Sequence, residues 1–451
     1  MDMAVVVVLF GGFLLLLLVG VPIYLALGLS ALVTILALDL VPLQVLPGQV
    51  FSAFNSFTLL AIPLFILAGN LLARSAISER LIALARALVG RIRGGLAVVA
   101  VLVGVFFAGI SGSGPADVGA QGGVLIPPMV RDRYDRAFAS ALVAANGAIG
   151  IIVPPSIGLI IYGVVANVSI GRLFIAGIVP GVLMGVSLAL VSIVLARKHH
   201  WGPEAGARPP GTVGAAAMPP SAELPRGMDR VRDILRALRR AVWGLLAPLI
   251  ILGGIYGGVF TPTEAAAVVV VYALFVGMVV YRDIRPAHLP PILVDSARTT
   301  GVVMIIIGSA AIFGFVLNSQ GIAAGVAGAL TEATPNLVIG LLVINLIFLA
   351  AGTLLDAISI YYILTPILLP VAVTLGVDPV HFGVIATVNL AIGQVTPPVG
   401  VNLFVACGVG GVTLGEISRA VIPLIAAQIV ALLAITFVPG LTLWLPDLLG
   451  V

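Results

Sequence analysis

The chain reads as an all-α integral membrane protein made of two inverted repeats, each holding a re-entrant helical hairpin and a helix broken by a Pro-Pro pair. Three observations predict this. Of its 451 residues 61% are hydrophobic and only 9% charged, a balance outside the range of soluble domains. A helix-breaking motif occurs twice, as Asn146-Gly147-Ala148-Ile149-Gly150-Ile151-Ile152-Val153-Pro154-Pro155 and as Asn389-Leu390-Ala391-Ile392-Gly393-Gln394-Val395-Thr396-Pro397-Pro398. The arginines gather on one set of loops.

Apolar stretches of about 17 to 25 residues, each able to cross roughly 30 Å of hydrocarbon, identify helices rather than barrel strands. The net charge of +4 comes from arginines in short segments between apolar runs, which is membrane orientation and not a nucleic-acid surface. Cys407, the only cysteine, lies in an apolar run and has no internal disulfide partner. The first apolar run, from Ala4 through Pro22 to Leu38, has no basic residue before it, so it is expected to stay in the mature protein and not to be a cleaved signal.

Pro22 and Pro262 each suit the first turn of a helix, which gives both halves the same order. Spans are expected at 4–20, 22–38 and 51–73, then at 241–260, 262–281 and 299–318. Lateral segments follow at 76–93 and 319–336, then hairpins at 95–130 and 338–370, broken helices at 137–170 and 382–410, and one closing span in each half. The repeats therefore occupy 1–198 and 241–451, joined by a Pro-, Gly- and Arg-rich linker at 199–240. Asp117 pairs with Asp356, and Leu125-Ile126-Pro127 with Leu364-Thr365-Pro366. Without their polar tips the hairpin arms are about 15 residues, short for a crossing at about 1.5 Å per residue, which favours re-entrant hairpins over pairs of thin spans.

Arg74 to Arg93, Arg131 to Arg136, Arg197 to Arg240, Arg282 to Arg298 and Arg419 are assigned to the cytoplasm, leaving Arg172 as the exception. No Lys or Arg occurs in 39–55, 319–336 or 371–381. The first hairpin then enters from the cytoplasm and the second from the far side, so the repeats are inverted and both termini are expected to be periplasmic. Paired prolines remove amide donors and obstruct the preceding turn, freeing carbonyls. In lipid such backbone must be buried in protein or line a cavity, and broken helices meeting near the midplane describe a secondary transporter.

Asp117 and Asp356 lie just past the hairpin tips, where a carboxylate is either a helix cap or a neighbour of a bound cation or substrate group. Asn146 and Asn389 share one column of the repeat and serve either as interhelical hydrogen-bond donors or as ligands. Ser111, Ser113, Ser156 and Thr396 offer hydroxyls beside the breaks, and with freed carbonyls these hard oxygens suit a small alkali cation. The expected cation sites are Ser111, Gly112, Ser113, Asn146 and Gly150 in one repeat and Gly352, Asp356, Asn389, Gly393 and Thr396 in the other. Substrate is expected beside Ser111, Ser113, Pro154, Pro155, Ser156, Asp356, Thr396, Pro397 and Pro398. Glu264, following Pro262, reads as an N-terminal cap.

The single lysine, Lys198, lies in a loop, so no Walker A lysine is available for ATP. The histidines at 199, 200, 288 and 381 form no metal-spaced cluster. An enzyme is not expected. The competing reading is an intramembrane aspartyl hydrolase using Asp117 and Asp356, which leaves the repeated Pro-Pro breaks unexplained; a passive channel is the third.

At these residues the sequence resembles the large membrane subunit of tripartite ATP-independent periplasmic (TRAP) transporters, the DctM-like family. The resemblance rests on Ala61-Ile62-Pro63-Leu64-Phe65-Ile66-Leu67-Ala68-Gly69, Ser111-Gly112-Ser113-Gly114-Pro115-Ala116-Asp117 and Ile152-Val153-Pro154-Pro155-Ser156. In the second half it rests on Gly257-Gly258-Val259-Phe260-Thr261-Pro262-Thr263-Glu264-Ala265, Gly376-Val377-Asp378-Pro379-Val380-His381-Phe382-Gly383 and Thr396-Pro397-Pro398-Val399-Gly400. It implies sodium-coupled uptake of a small carboxylate across the bacterial inner membrane by an elevator motion of hairpins and broken helices. It also implies two partners, a small four-helix membrane subunit (DctQ-like) and a periplasmic substrate-binding protein. No four-helix block precedes Ala4, so the small subunit is expected as a separate chain. Two features depart from the family pattern: a longer linker at 199–240, and Gly114-Pro115 where hydroxyl residues or Ala are more usual.

Overall fold

The computed structural model describes residues 3–75, 77–89, 94–201, 228–334 and 336–450, and every regular element among them is helical. Helices α1 (Met3–Leu18) and α2 (Ile23–Ala37) part at Gly20, with φ +87°, and at Pro22, the residue before the first turn of α2. The span expected at 51–73 is instead two helices, α3 (Val45–Phe54) and α4 (Ala61–Arg74), with a short 3-10 turn at Phe57–Leu60 leading into α4. Asn55 and Ser56 leave helical geometry between them, as short polar side chains that compete for backbone partners tend to do.

The lateral helix α5 (Ile77–Val89) buries Ile77, Leu81, Leu84 and Ala85, one face of a helical repeat. Then come the hairpin α6 (Gly95–Ser111) and α7 (Gly114–Arg131), the broken pair α8 (Arg136–Ile149) and α9 (Ile157–Ala166), and the long α10 (Ile170–Lys198). Of the expected linker, 202–227 lies outside the described residues, while its basic end from 228 is the start of α11 (Met228–Tyr256). Helix α12 (Pro262–Phe275) opens on a capping box in which Thr261 and Glu264 exchange bonds, so Glu264 is a cap.

Helix α13 (Leu289–Ser319) begins well before the expected 299, because Pro290 and Pro291 are tolerated in its first turn. The lateral α14 (Ile322–Ala333), the hairpin α15 (Leu337–Gly352) and α16 (Ala357–Thr374), the broken pair α17 (Pro379–Gly393) and α18 (Val401–Gly410), and α19 (Leu414–Phe437) repeat the first half. One further helix, α20 (Gly440–Leu449), follows the break at Val438 and Pro439. Seven helices are long and apolar enough to cross a membrane among the described residues.

Helices α1 to α4 and α11 to α13 form an outer framework. Helices α4 and α12 pack on each other and both bury small residues, Ala61 and Ala68 on α4 and Ala265, Ala266 and Ala273 on α12, which lets the backbones approach; Gly69 instead faces Ser111 of α6. Asn70 donates to Ser296 Oγ at 2.8 Å between α4 and α13. Arg80 pairs with Asp283 at 3.1 Å and stacks 3.5 Å above the ring of Tyr281. The exposed Arg74–Asp295 pair is worth only about 0.2–1 kcal/mol, so close packing, not charge, holds the framework.

The inner bundle interlaces the repeats. Helix α9 packs on α16 of the other hairpin, α18 on α7, α10 on α17 and α19 on α8. The inversion is visible at the ends of α10: Phe138, at the start of α8, packs its ring against Trp201 beyond its C-terminus, whereas α17 starts where Tyr162 of α9, just before α10, donates to the Pro379 carbonyl at 2.6 Å. The mirror contact joins Arg136 of α8 to the Gly410 carbonyl at the end of α18.

Candidate functional site

Hairpin 1 turns at Gly112, which needs glycine twice over. Its φ is +63°, and a Cβ there would lie 2.5 Å from the Pro155 carbonyl oxygen. Ser113 is the N-cap residue of α7, and Pro115 sits in the first turn. Ser111 Oγ donates to Oδ1 of Asp117 and accepts from the Ser113 amide at 3.2 Å, which closes the tip on itself. Asp117 is 1% exposed and its Oδ2 has no partner. That oxygen faces Gly150, the residue ending α8, where a Cβ would approach it to 2.4 Å.

Hairpin 2 is built differently. Asp356 is the N-cap of α16, with Oδ1 accepting from the Ser359 amide at 3.0 Å and Oδ2 from its hydroxyl at 2.6 Å. Helices α7 and α16 are both 18 residues long, and Ser113 and Asp356, their N-caps, are separated by the same distance in sequence as Pro154 from Pro397. The expected pairing of Asp117 with Asp356 is therefore shifted by one helical turn, and so is that of Pro127 with Pro366; the structure aligns Asp356 with Ser113, Asp117 with the buried Ile360, and Pro127 with Pro370. The two carboxylates are not symmetry mates.

The breaks hold part of their freed backbone internally. Ser156 Oγ donates to the Ile151 carbonyl and accepts from the Leu159 amide at 3.1 Å, capping α9. Thr396 donates to the Ile392 carbonyl at 2.7 Å, and the Asn402 amide donates to the Gln394 carbonyl at 3.0 Å. Pro154 and Pro155 are buried against hairpin 1, whereas Pro397 is half-buried and Pro398 exposed. Gly352 and Gly393 meet backbone to backbone, a Cβ on Gly393 falling 2.5 Å from the Gly352 carbonyl carbon.

The two asparagines stand away from the tips. Asn146 is fully buried against Gly104, about two turns before Ser111, with both amide atoms unpartnered. Asn389 donates to Asn345 Oδ1 at 2.6 Å and to the Ile385 carbonyl at 2.8 Å, which is the interhelical hydrogen-bonding geometry. Gly147 and Gly150, not Asn146, bring the end of α8 to hairpin 1, Gly147 against the Gly114 carbonyl and Gly150 against Asp117.

A cavity of about 240 Å³ lies where inner bundle and framework meet. Hairpin 1 lines it with Ser111 to Asp117, hairpin 2 with Asp356 to Ile358, and the breaks with Ile151 and Gln394. The first turn of α9 adds Ile157 and Gly158; the framework adds Gly69 and Asn70 of α4 and Thr299 and Val303 of α13. Three helix N-termini, those of α7, α9 and α16, open onto it, and among the described residues no Lys or Arg lines it. Of the expected residues, Ser111, Gly112, Ser113 and Asp356 line the cavity, together with Asp117; Asn146, Gly150, Pro154, Pro155, Ser156, Gly352, Asn389, Gly393, Thr396, Pro397 and Pro398 do not. Asn70, Thr299 and Gln394 were not expected. Gln394 carried a signal, being the polar member of the second motif where the first has Ile151.

Comparison with known proteins decides the family. The family described as tripartite ATP-independent periplasmic transporter, DctM component, matches residues 10–441. The C4-dicarboxylate TRAP transporter large permease protein DctM of Pseudomonas aeruginosa is 42% identical over 427 residues, 94% of each chain. This chain belongs to the DctM family.

Other DctM relatives include the isethionate TRAP transporter permease protein DctMQ of Oleidesulfovibrio alaskensis, 42% identical over 437 residues; the match spans 97% of this chain and 66% of that protein. The sialic acid TRAP transporter large permease protein SiaM of Vibrio cholerae is 37% identical over 97% of each chain. The crystal structure of the YdaH transporter of Alcanivorax borkumensis shares the fold, with a TM-score of 0.58 at 17% identity over 90% of this chain and 89% of that one. DctM proteins are transporter permease subunits and not enzymes.

Proposed function

We propose that this DctM chain is the large permease of a sodium-coupled system in the bacterial inner membrane, importing a small organic acid handed over by a periplasmic binding protein. The cavity carries the reading: both hairpin tips and both breaks reach it from one side, and α4 and α13 close it from the other. A solute held there sits on the boundary between two bodies, and the inner bundle sliding along the framework, with the hairpins entering the membrane from opposite faces, would expose it to each side in turn. Three helix N-termini supply partial positive charge toward an anion without a formal cation, which suits a carboxylate that must be released again. The relatives named for isethionate, C4-dicarboxylates and sialic acid all take acids.

Sodium supplies the energy in this reading. Hydroxyls and carbonyls at the tips and breaks are hard oxygen donors, with Ser111, Gly112, Ser113 and Gly150 contributing to one site and Gly352, Asp356, Gly393 and Thr396 to the other. Asn146 and Asn389, away from the tips, act on these sites through the helices that carry Gly150 and Gly393. One charge moving inward yields about 2.3 kcal/mol per 100 mV, less than half of the roughly 8 kcal/mol of a micromolar complex with a binding protein, so more than one sodium accompanies each substrate.

Uptake into proteoliposomes tests this directly. Accumulation is expected only when the small subunit, the loaded binding protein and an inward sodium gradient are all present. Accumulation of free substrate by this chain alone, or uptake that needs ATP, would overturn it.

A further inference from the structure

His381 stands in the first turn of α17, 2% exposed, and takes no part in the cavity. Its two ring nitrogens face two different helices. Nε2 lies 3.2 Å from the Thr436 carbonyl oxygen in α19, and Nδ1 lies 2.7 Å from Oγ1 of Thr442 in α20. A carbonyl only accepts, so Nε2 carries a hydrogen.

Thr442 has a choice of partner, because its hydroxyl also lies 2.9 Å from the Pro439 carbonyl oxygen. With a neutral ring, the Thr442 hydroxyl donates to the bare Nδ1. When a proton adds to Nδ1, the new N–H donates to Thr442 Oγ1 and the threonine hydrogen turns to Pro439. Rotation of one hydroxyl thus leaves every polar atom of the cluster bonded in both states, whereas an ordinary buried histidine strands a donor or an acceptor in one of them. We propose that His381 is a proton-binding site of the inner bundle, with Thr442 and Pro439 as the receptor built around it.

The charged and titratable groups around it are few. Asp378, the N-cap of α17, holds the amides of Val380 and His381 on its Oδ1 and is the carboxylate whose charge reaches the ring. Helix α9 presents Tyr162, bonded to the Pro379 carbonyl, and α16 presents Tyr361, bonded to Thr387. Further along α20, Asp447 pairs with Arg172 of α10 at 3.2 Å. Helices α15 and α19 bring only neutral partners: Asn345 Nδ2 donates to Thr436 Oγ1 at 3.1 Å, and Asn389 donates to Asn345. The proton site is therefore joined by hydrogen bonds to an arm of hairpin 2 and to the middle of the broken helix.

Nitrogen NMR of the purified full-length chain in lipid nanodiscs tests the site. Replacing His199, His200 and His288 by Gln leaves His381 as the only histidine to label with ¹⁵N. Between pH 5 and 9, Nε2 should stay protonated while Nδ1 gains a hydrogen as the pH falls. Thr442→Val removes the acceptor of the cationic ring and should move the midpoint down by about one unit, since the charge-assisted bond is the stronger one lost; Thr442→Ser should leave it in place. A ring that does not titrate in this range, or a midpoint unmoved by Thr442→Val, would overturn the proposal. The measurement reads the proton on the isolated chain, so its outcome is separate from that of the uptake assay.

Discussion

Asp117 and Gly150 fit each other by the absence of one carbon: a Cβ on Gly150 would stand 2.4 Å from Oδ2 of the carboxylate. Gly150 has ordinary right-handed dihedrals, φ −59° and ψ −27°, so backbone freedom does not explain it. The space does.

Gly150→Ala should therefore destabilise the protein by about 1–3 kcal/mol, the usual cost of overpacking, despite the better helix propensity of alanine. Thermal unfolding followed by tryptophan fluorescence measures it. Asp117→Ala in the same chain should recover most of the loss, so the double variant is more stable than the sum of the singles. Additive losses would mean that the carboxylate is not what occupies the space.

Asp356 separates capping from charge. Asp356→Asn keeps an N-cap acceptor and should unfold at nearly the wild-type temperature, whereas Asp356→Ala should lose about 1 kcal/mol. Sodium titrations of uptake complete the test: Asp356→Asn should raise the half-saturating sodium concentration several-fold. Sodium dependence identical to wild type would leave Asp356 as a cap alone.

The asparagines should behave oppositely in stability. The Asn389–Asn345 bond joins α17 to α15, and a double-mutant cycle with alanine should return a coupling of about 0.6–1.7 kcal/mol. Asn146 has no protein partner to lose, so Asn146→Ala should be near neutral for unfolding while raising the sodium needed for uptake.

Sidedness is accessible to labelling once Cys407 is replaced. A cysteine for Arg131, at the end of α7, should be blocked by reagents that reach the cytoplasm, and one for Thr374, at the end of α16, by reagents confined to the periplasm. Labelling of both from one side would contradict the inverted arrangement.

Much of this architecture was legible because its punctuation is local. Pro22, Gly112, the Pro-Pro pairs and the capping box at Thr261 act within a turn or two of themselves, and each falls where its chemistry requires. The break after α3 was missed because Asn55 and Ser56 are weak signals inside an apolar run, and α20 because an apolar tail of ten residues has no crossing length to announce it. The site was legible only in part. Asn70 and Thr299 reach the cavity through the packing of α4 on α13, a contact between residues more than 220 positions apart that no local pattern encodes. The pairing of Asp117 with Asp356 went astray by one turn because both follow a hairpin tip; only the helix starts show that Ser113 holds the place that Asp356 holds.

The exchange of half-helices between the repeats makes the packing of each half depend on the other. Either half alone would leave an open groove, hairpin 1 lacking α18 and hairpin 2 lacking α9. Neither inner half is closed without the other, so a lesion that unseats α9 or α18 opens the opposite half's hairpin as well as its own.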